Sequence, residues 1–198
     1  FKQKTAYEML RSLVGSEMCI RDSLYEENSP LNVNNFVYLA TNGYYKGVSI
    51  HRIVPGVLFQ SGDRNTLDRD ISNDGFGHTG YFIKDEINWK SLNMDSKKRN
   101  KLASLGYKSN EEIDSIPIEP LSLVMASAGP NTNSSQFFVT FASISKENLN
   151  HLQGRFTNIG KVIDGYNTIE QISRILVIEE KPAVDVRIRD IIIYTNTN

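Results

Sequence analysis

Arg52 is the side chain of this 198-residue sequence best suited to chemistry. Its guanidinium stays charged and holds its N–H donors in a rigid fork, which a lysine ammonium does not. It lies in Ile50-His51-Arg52-Ile53-Val54-Pro55-Gly56-Val57-Leu58-Phe59-Gln60-Ser61-Gly62-Asp63, where Pro55-Gly56 is a tight turn between two short strands. A second stretch, Met125-Ala126-Ser127-Ala128-Gly129-Pro130-Asn131-Thr132-Asn133-Ser134-Ser135-Gln136-Phe137-Phe138, reads as a small-residue strand, a rigid polar loop and an aromatic strand. Gly129-Pro130 breaks the first strand, and the Asn/Thr/Ser run bonds its own backbone in local turns. Taken alone, this stretch is a polar hairpin connection and Arg52 a strand arginine in a surface ion pair. His51, His78 and His151 are scattered, with no His-Glu-x-x-His and no nucleophile elbow around them, which argues against a hydrolase. Asp63, Asn65 and Asp68 have loose calcium-loop spacing, but the glycine and closing glutamate of that pattern are missing, so no metal site is expected.

Together the two stretches resemble the signature segments of the cyclophilin family of peptidyl-prolyl isomerases. The family pattern runs Phe-His-Arg, two aliphatics, Pro-Gly-Phe and Gln-Gly-Gly-Asp, and later Met-Ala-Asn-Ala-Gly-Pro-Asn-Thr-Asn-Gly-Ser-Gln-Phe-Phe. The likeness runs from about residue 24 to about residue 194. It implies a reaction that needs no nucleophile and no cofactor. Amide resonance sets a barrier of roughly 18–20 kcal/mol to rotation of a peptide bond. Cis and trans Xaa-Pro forms differ by only about 0.5–1 kcal/mol, so loosening the C–N bond is sufficient. By resemblance Arg52 is the catalytic donor, Gln60 and Gln136 orient it and the substrate backbone, and Leu58, Phe138, Leu152 and Phe156 form the proline pocket. Ala126, Ser127 and Ala128 match the strand edge that pairs with the peptide. His51 adjoins the arginine and reads as a buried histidine with satisfied nitrogens rather than a proton shuttle.

The departures from the family pattern are specific. Val57 stands where a phenylalanine floors the pocket, and the smaller side chain forgoes on the order of 1–3 kcal/mol of contact unless the space is refilled. Ser127 and Ser134 replace asparagine and glycine, Ser61 replaces a glycine, and Phe156 replaces a frequent histidine. His151 stands where many members carry tryptophan, which implies weak cyclosporin binding. The rival reading is a catalytically weak proline-peptide binding module or chaperone, favoured by Val57 and opposed by Arg52, Gln60, Gln136 and Phe138.

The elements that must position these residues follow from periodicity. Ser29 caps a helix over 30–41 that starts on Pro30, carries Val33, Phe36, Val37 and Ala40, and stops at Gly43. Strands are expected at 48–54, 57–60, 136–141, 156–163 and 184–193, and a second helix is capped by Asp164. The expected fold is mainly β: a closed antiparallel eight-stranded barrel with two capping helices, missing its first strand. Ser12 to Ser23 resembles a translated sequencing-adapter string, so residues 1–23 are expected to be a non-family, artefactual leader. Residues 24–195 form the domain, and 87–119 resemble an insertion of longer bacterial members, with a basic helix from Ser96 to Leu105. A formal net charge of -1 gives no sign of nucleic-acid binding. No apolar run reaches the roughly 20 residues of a membrane span. Cys19 stands alone, which rules out an internal disulfide framework. The expected partners are proline-containing peptides or unfolded chains, met by a monomer. The compartment is left open, cytoplasmic or periplasmic if the chain is bacterial.

Overall fold

The computed structural model describes residues 4–13, 16–68 and 70–196, with side chains described over 19–68 and 70–194. Its strands in chain order are β1 (Lys4–Leu13), β2 (Ser16–Leu24), β3 (Arg52–Val54), β4 (Leu58–Ser61), β5 (Ser122–Met125), β6 (Phe137–Thr140), β7 (Asn158–Asp164), β8 (Val177–Ile178), β9 (Lys181–Pro182) and β10 (Ile188–Asn196). The helices are α1 (Pro30–Thr41), α2 (Ser96–Ser104), α3 (Lys146–Leu152) and α4 (Tyr166–Ser173). Eight strands form one antiparallel sheet in the order β10-β1-β2-β7-β5-β6-β4-β3, and β8 pairs with β9 in a separate hairpin. The class is mainly β, as expected.

Two fold expectations are corrected. The sheet does not lack a first strand, because β1 lies between β10 and β2, and β2 continues onto β7. Strand pairing uses main-chain groups that every non-proline residue carries, and residues 4–24 contain no proline. The described residues hold four α-helices: the two capping helices, α2 as the basic helix expected in the 87–119 segment, and α3 in place of a loop or helical turn. Asp95 caps α2 by accepting from the Lys98 N–H at 2.8 Å, and Ser145 caps α3 through Asn148 at 3.2 Å. The α4 cap also moves. Gly165, not Asp164, precedes that helix at φ +85, and a Cβ there would lie 2.1 Å from the Cys19 carbonyl oxygen. Only glycine accepts both the left-handed backbone and the close approach of β2.

Helix α1 buries Val33, Phe36, Leu39 and Ala40 against Ile53, Phe59, Leu123, Phe137 and Val139 of the sheet. Phe36, Tyr45 and Phe137 meet ring to ring, with centroids 5.3–5.5 Å apart. These rings belong to a larger apolar core, whose burial is the dominant favourable term in folding. Ser29 precedes α1 but does not cap it. Its hydroxyl donates to the carbonyls of Tyr25 and Asn158, while the Glu86 carboxylate accepts the N–H groups of Leu31 at 3.0 Å and Asn32 at 2.9 Å. A buried carboxylate from far along the chain thus satisfies the orphan donors and complements the helix dipole.

Candidate functional site

Register sets the site. Arg52 on β3 faces Gln60 on β4, Gln60 faces Phe138 on β6, and Phe138 faces Val124 on β5. These four form one row across four strands, all on the same side of the sheet. Their chain neighbours Ile53, Phe59, Val139 and Leu123 point the other way and are fully buried in the core. The period of two therefore divides each strand between the core and an outer groove.

The groove encloses about 570 Å³. Leu58 and Phe138 are its buried apolar base, backed by Val124 and Ile118, with Val57, Ala126, Leu152 and Phe156 packed against this cluster. Phe156 meets Phe138 edge to face at 5.4 Å, and Arg155 lies over Phe156 at 5.5 Å. Arg52, Gln60, Gln136, Ser127, Ala128 and His151 complete the predicted residues that line it. His51 alone among the sequence-predicted set is not in the lining.

A chain of hydrogen bonds runs along the polar wall. Arg52 donates from Nη1 to Gln60 Oε1 at 3.3 Å, and Gln60 Nε2 donates to Gln136 Oε1 at 2.8 Å. Gln136 Nε2 then donates to the carbonyls of Gly75 at 2.9 Å and Gly77 at 2.8 Å. Each amide has its oxygen toward Arg52 and its nitrogen toward the 75–77 loop, so the wall has one orientation. Arg52 is also in an ion pair, donating from Nε to Glu180 Oε2 at 2.6 Å. Asp63 shapes the loop itself, its buried carboxylate accepting the N–H groups of Asn65, Gly75 and Gly77 at 2.6–3.0 Å. The calcium-like spacing is thus used for loop turns. Among the described residues no group of three or more His, Cys, Asp or Glu gathers to hold a metal ion.

The expectations for His51 and Ala126 change. His51 is buried, and among the described residues the Gln136 amide lies near its ring nitrogens, short of a well-formed hydrogen bond, so they are less well satisfied than expected. Burial lowers its pKa to about 4, opposed by the charge of Asp63. The Ala126 N–H already donates to the Gln136 carbonyl at 2.9 Å, so that donor is engaged in the β5–β6 pairing. The central loop is tied by side-chain hydrogen bonds. Thr132 bonds both the N–H and the carbonyl of Gly129, and Asp85 is bonded by Asn131 and Asn133. Of the three serine replacements, Ser134 Oγ accepts from the Thr79 N–H and Ser61 donates to the Ser49 carbonyl, whereas the buried Ser127 hydroxyl has no partner among the described residues.

Sequence reasoning missed Gly75, Phe76, Gly77, His78, Phe82 and Arg155, which also line the groove. The glycines mark a turn-rich stretch, but no periodicity says where a long loop folds back. It missed Glu180 as well, because only the tertiary fold brings that residue to β3.

The chain belongs to the cyclophilin-type peptidyl-prolyl cis-trans isomerase family, whose model, described as "Cyclophilin type peptidyl-prolyl cis-trans isomerase/CLD", matches residues 16–193. Among its relatives is a Gallus gallus protein named peptidyl-prolyl cis-trans isomerase-like 3, 32% identical over 180 residues, covering 89% of this chain and 91% of the relative. A Cryptococcus neoformans protein named peptidyl-prolyl cis-trans isomerase-like 2 is 34% identical over 170 residues, 86% of this chain, which spans only 24% of that longer relative. The crystal structure of a Cryptosporidium parvum cyclophilin type peptidyl-prolyl cis-trans isomerase is similar with a TM-score of 0.70 at 25% identity, covering 98% of this chain and 99% of its own. The same protein in the presence of the dipeptide Ala-Pro gives a TM-score of 0.69 at 26% identity, covering 96% and 99%.

Proposed function

We propose that the chain is a peptidyl-prolyl cis–trans isomerase acting on exposed proline-containing segments of peptides and unfolded proteins. The observation that carries this is the Arg52 guanidinium held on the groove wall by Gln60, beside the apolar base of Leu58 and Phe138. The proline ring packs on Phe138, Leu58, Leu152 and Phe156. The remaining N–H donors of Arg52 then favour a pyramidal prolyl nitrogen, whose lone pair leaves resonance as the bond twists. Backbone groups of Ser127 and Ala128 and the side chain of Gln136 hold the flanking peptide, with His151 and Val57 at the margin of the groove, and His51, expected among the substrate-binding residues, lies outside the lining. The reaction uses no cofactor.

The same reading includes a monomer with its sheet closed into a barrel and a domain over 24–195 with an insertion at about 87–119. It also takes Ser12–Ser23 as non-native sequence, on its likeness to a translated sequencing-adapter string, although the family match begins at residue 16. An uninterrupted reading frame through that string at the source locus would overturn the last point. The function is tested by NMR exchange of an Ala-Pro peptide, with the parent protein and with Arg52→Ala. Acceleration by the parent, reduced at least a hundredfold in the variant, is the expected result on the scale of a lost electrostatic donor. Peptide binding without faster exchange, from a folded parent protein, would replace the isomerase by a holding module.

A further inference from the structure

We propose that Glu180, at the tip of the β8–β9 hairpin, is a positioning residue that sets the Arg52 guanidinium for isomerisation; this rests on the isomerase reading above. The hairpin register pairs Ile178 with Lys181, which leaves Glu179 and Glu180 as its two-residue turn. Both have left-handed backbone, at φ +50 and +63. Asn-Gly and similar pairs suit such a turn, whereas two glutamates are strained in it. A locally unfavourable pair of this kind calls for a compensating contact. Glu180 makes two contacts with β3: its carbonyl accepts from the Ile53 N–H, and its carboxylate pairs with Arg52.

The hairpin is fixed in place independently of the carboxylate contact. The Ile53 N–H donates to the Glu180 carbonyl at 2.7 Å, and Lys181 Nζ donates to the Ile71 carbonyl at 3.0 Å. The Glu180 carboxylate is therefore presented to β3 from an anchored backbone. It takes the Nε–H of Arg52 at 2.6 Å, while Gln60 takes an Nη1–H from the other side. A planar guanidinium held at two of its nitrogens loses its freedom to swing, and its remaining N–H donors are left for a ligand in the groove. Stability alone does not account for the pair. The two side chains are 43% and 49% exposed, and ion pairs so exposed hold little folding free energy.

The test compares the parent protein with Glu180→Ala, Glu180→Gln and the neighbouring Glu179→Gln, each also in an Arg52→Lys background. Exchange of the Ala-Pro peptide gives kcat/KM, and the Arg52 Nε–H resonance reports the contact directly. Glu180→Ala is expected to lower kcat/KM about three- to tenfold, as the loss of one partly exposed charge-assisted bond, with the change in kcat. Its Nε–H resonance should broaden or exchange away. Glu180→Gln keeps an acceptor oxygen and should recover to within about twofold of the parent. Glu179→Gln should match the parent, and Glu180→Ala should add no loss once Arg52 is lysine. An active parent whose Glu180→Ala variant is equally fast, or faster, overturns this inference alone. So does an equal loss in the Arg52→Lys background, which would show that the effect does not pass through the guanidinium. A folded parent with no isomerase activity overturns the functional reading and this inference with it.

Discussion

Burial places His51 in an unusual state. In the folded protein its imidazole stays neutral down to about pH 4, whereas in the unfolded chain it titrates near 6.5. Between those values the unfolded state binds more protons, so stability rises with pH across the window and falls as pH drops from about 6.5 toward 4. Two and a half units correspond to a loss of up to about 3 kcal/mol. Urea unfolding at pH 7 and pH 4.5 should show most of it, and His51→Gln should flatten that part of the profile. Equal pH dependence in the variant would remove His51 as the cause. The sequence identified the histidine as buried, but its solvation depends on neighbours such as Gly75, whose added Cβ would lie 3.5 Å from the ring. Arg52 shows the same division. Its type and its neighbours Pro55 and Gly56 marked it for the groove, and the structure also gives it the surface ion pair that is the ordinary lot of a strand arginine.

At the scale of elements, helix α1 was legible because its signals are local. Pro30 opens it, buried residues recur at 3-4 spacing, and Gly43 follows its end at φ +69. Its cap was not legible, because Ser29 is drawn to the Asn158 carbonyl and Glu86 supplies the acceptors instead. Glu86 is buried, and Asn32 Nδ2 also donates to it at 2.8 Å. Glu86→Ala removes the acceptor of the buried Asn32 N–H and of the Leu31 N–H, leaves Asn32 Nδ2 only the Lys84 carbonyl, and is expected to lower stability by about 1–3 kcal/mol. Glu86→Gln keeps one oxygen and should cost less. Urea midpoints of the two variants decide this, and an alanine variant as stable as the parent would show that water replaces the carboxylate. The groove-lining loop around 75–77 was out of reach of the sequence for a related reason. Its shape comes from the Asp63 carboxylate and the Gln136 amide, both distant along the chain.

For the molecule as a whole, the open question in the sequence is how the sheet ends. The strand order puts β3 and β10 last, and terminal strands normally present unpaired main-chain groups. Here the segments beside them exchange hydrogen bonds. Gly47 N–H donates to Ile188 O, Ile188 N–H to Val48 O and Ile50 N–H to Val186 O, each at 2.8 Å, around a bridge between Ser49 and Arg187. Side chains reinforce this seam, with Ser49 Oγ donating to Asp185 at 2.8 Å and Arg187 donating to the Gly47 carbonyl at 3.1 Å. The seam matters for chemistry because β3 carries Arg52. Without it, β3 would be held through β4 and the β9 hairpin alone, and the guanidinium would inherit the motion of a free edge. If the ring is closed, the amides of Gly47, Ile50 and Ile188 open only with the whole fold. Hydrogen exchange should then give them protection within about tenfold of the Phe59 and Val139 amides in β4 and β6, the signature of one cooperative unit. Exchange a thousandfold faster at all three would mark an open sheet, and would place the rigidity of Arg52 in Gln60 and Glu180 alone.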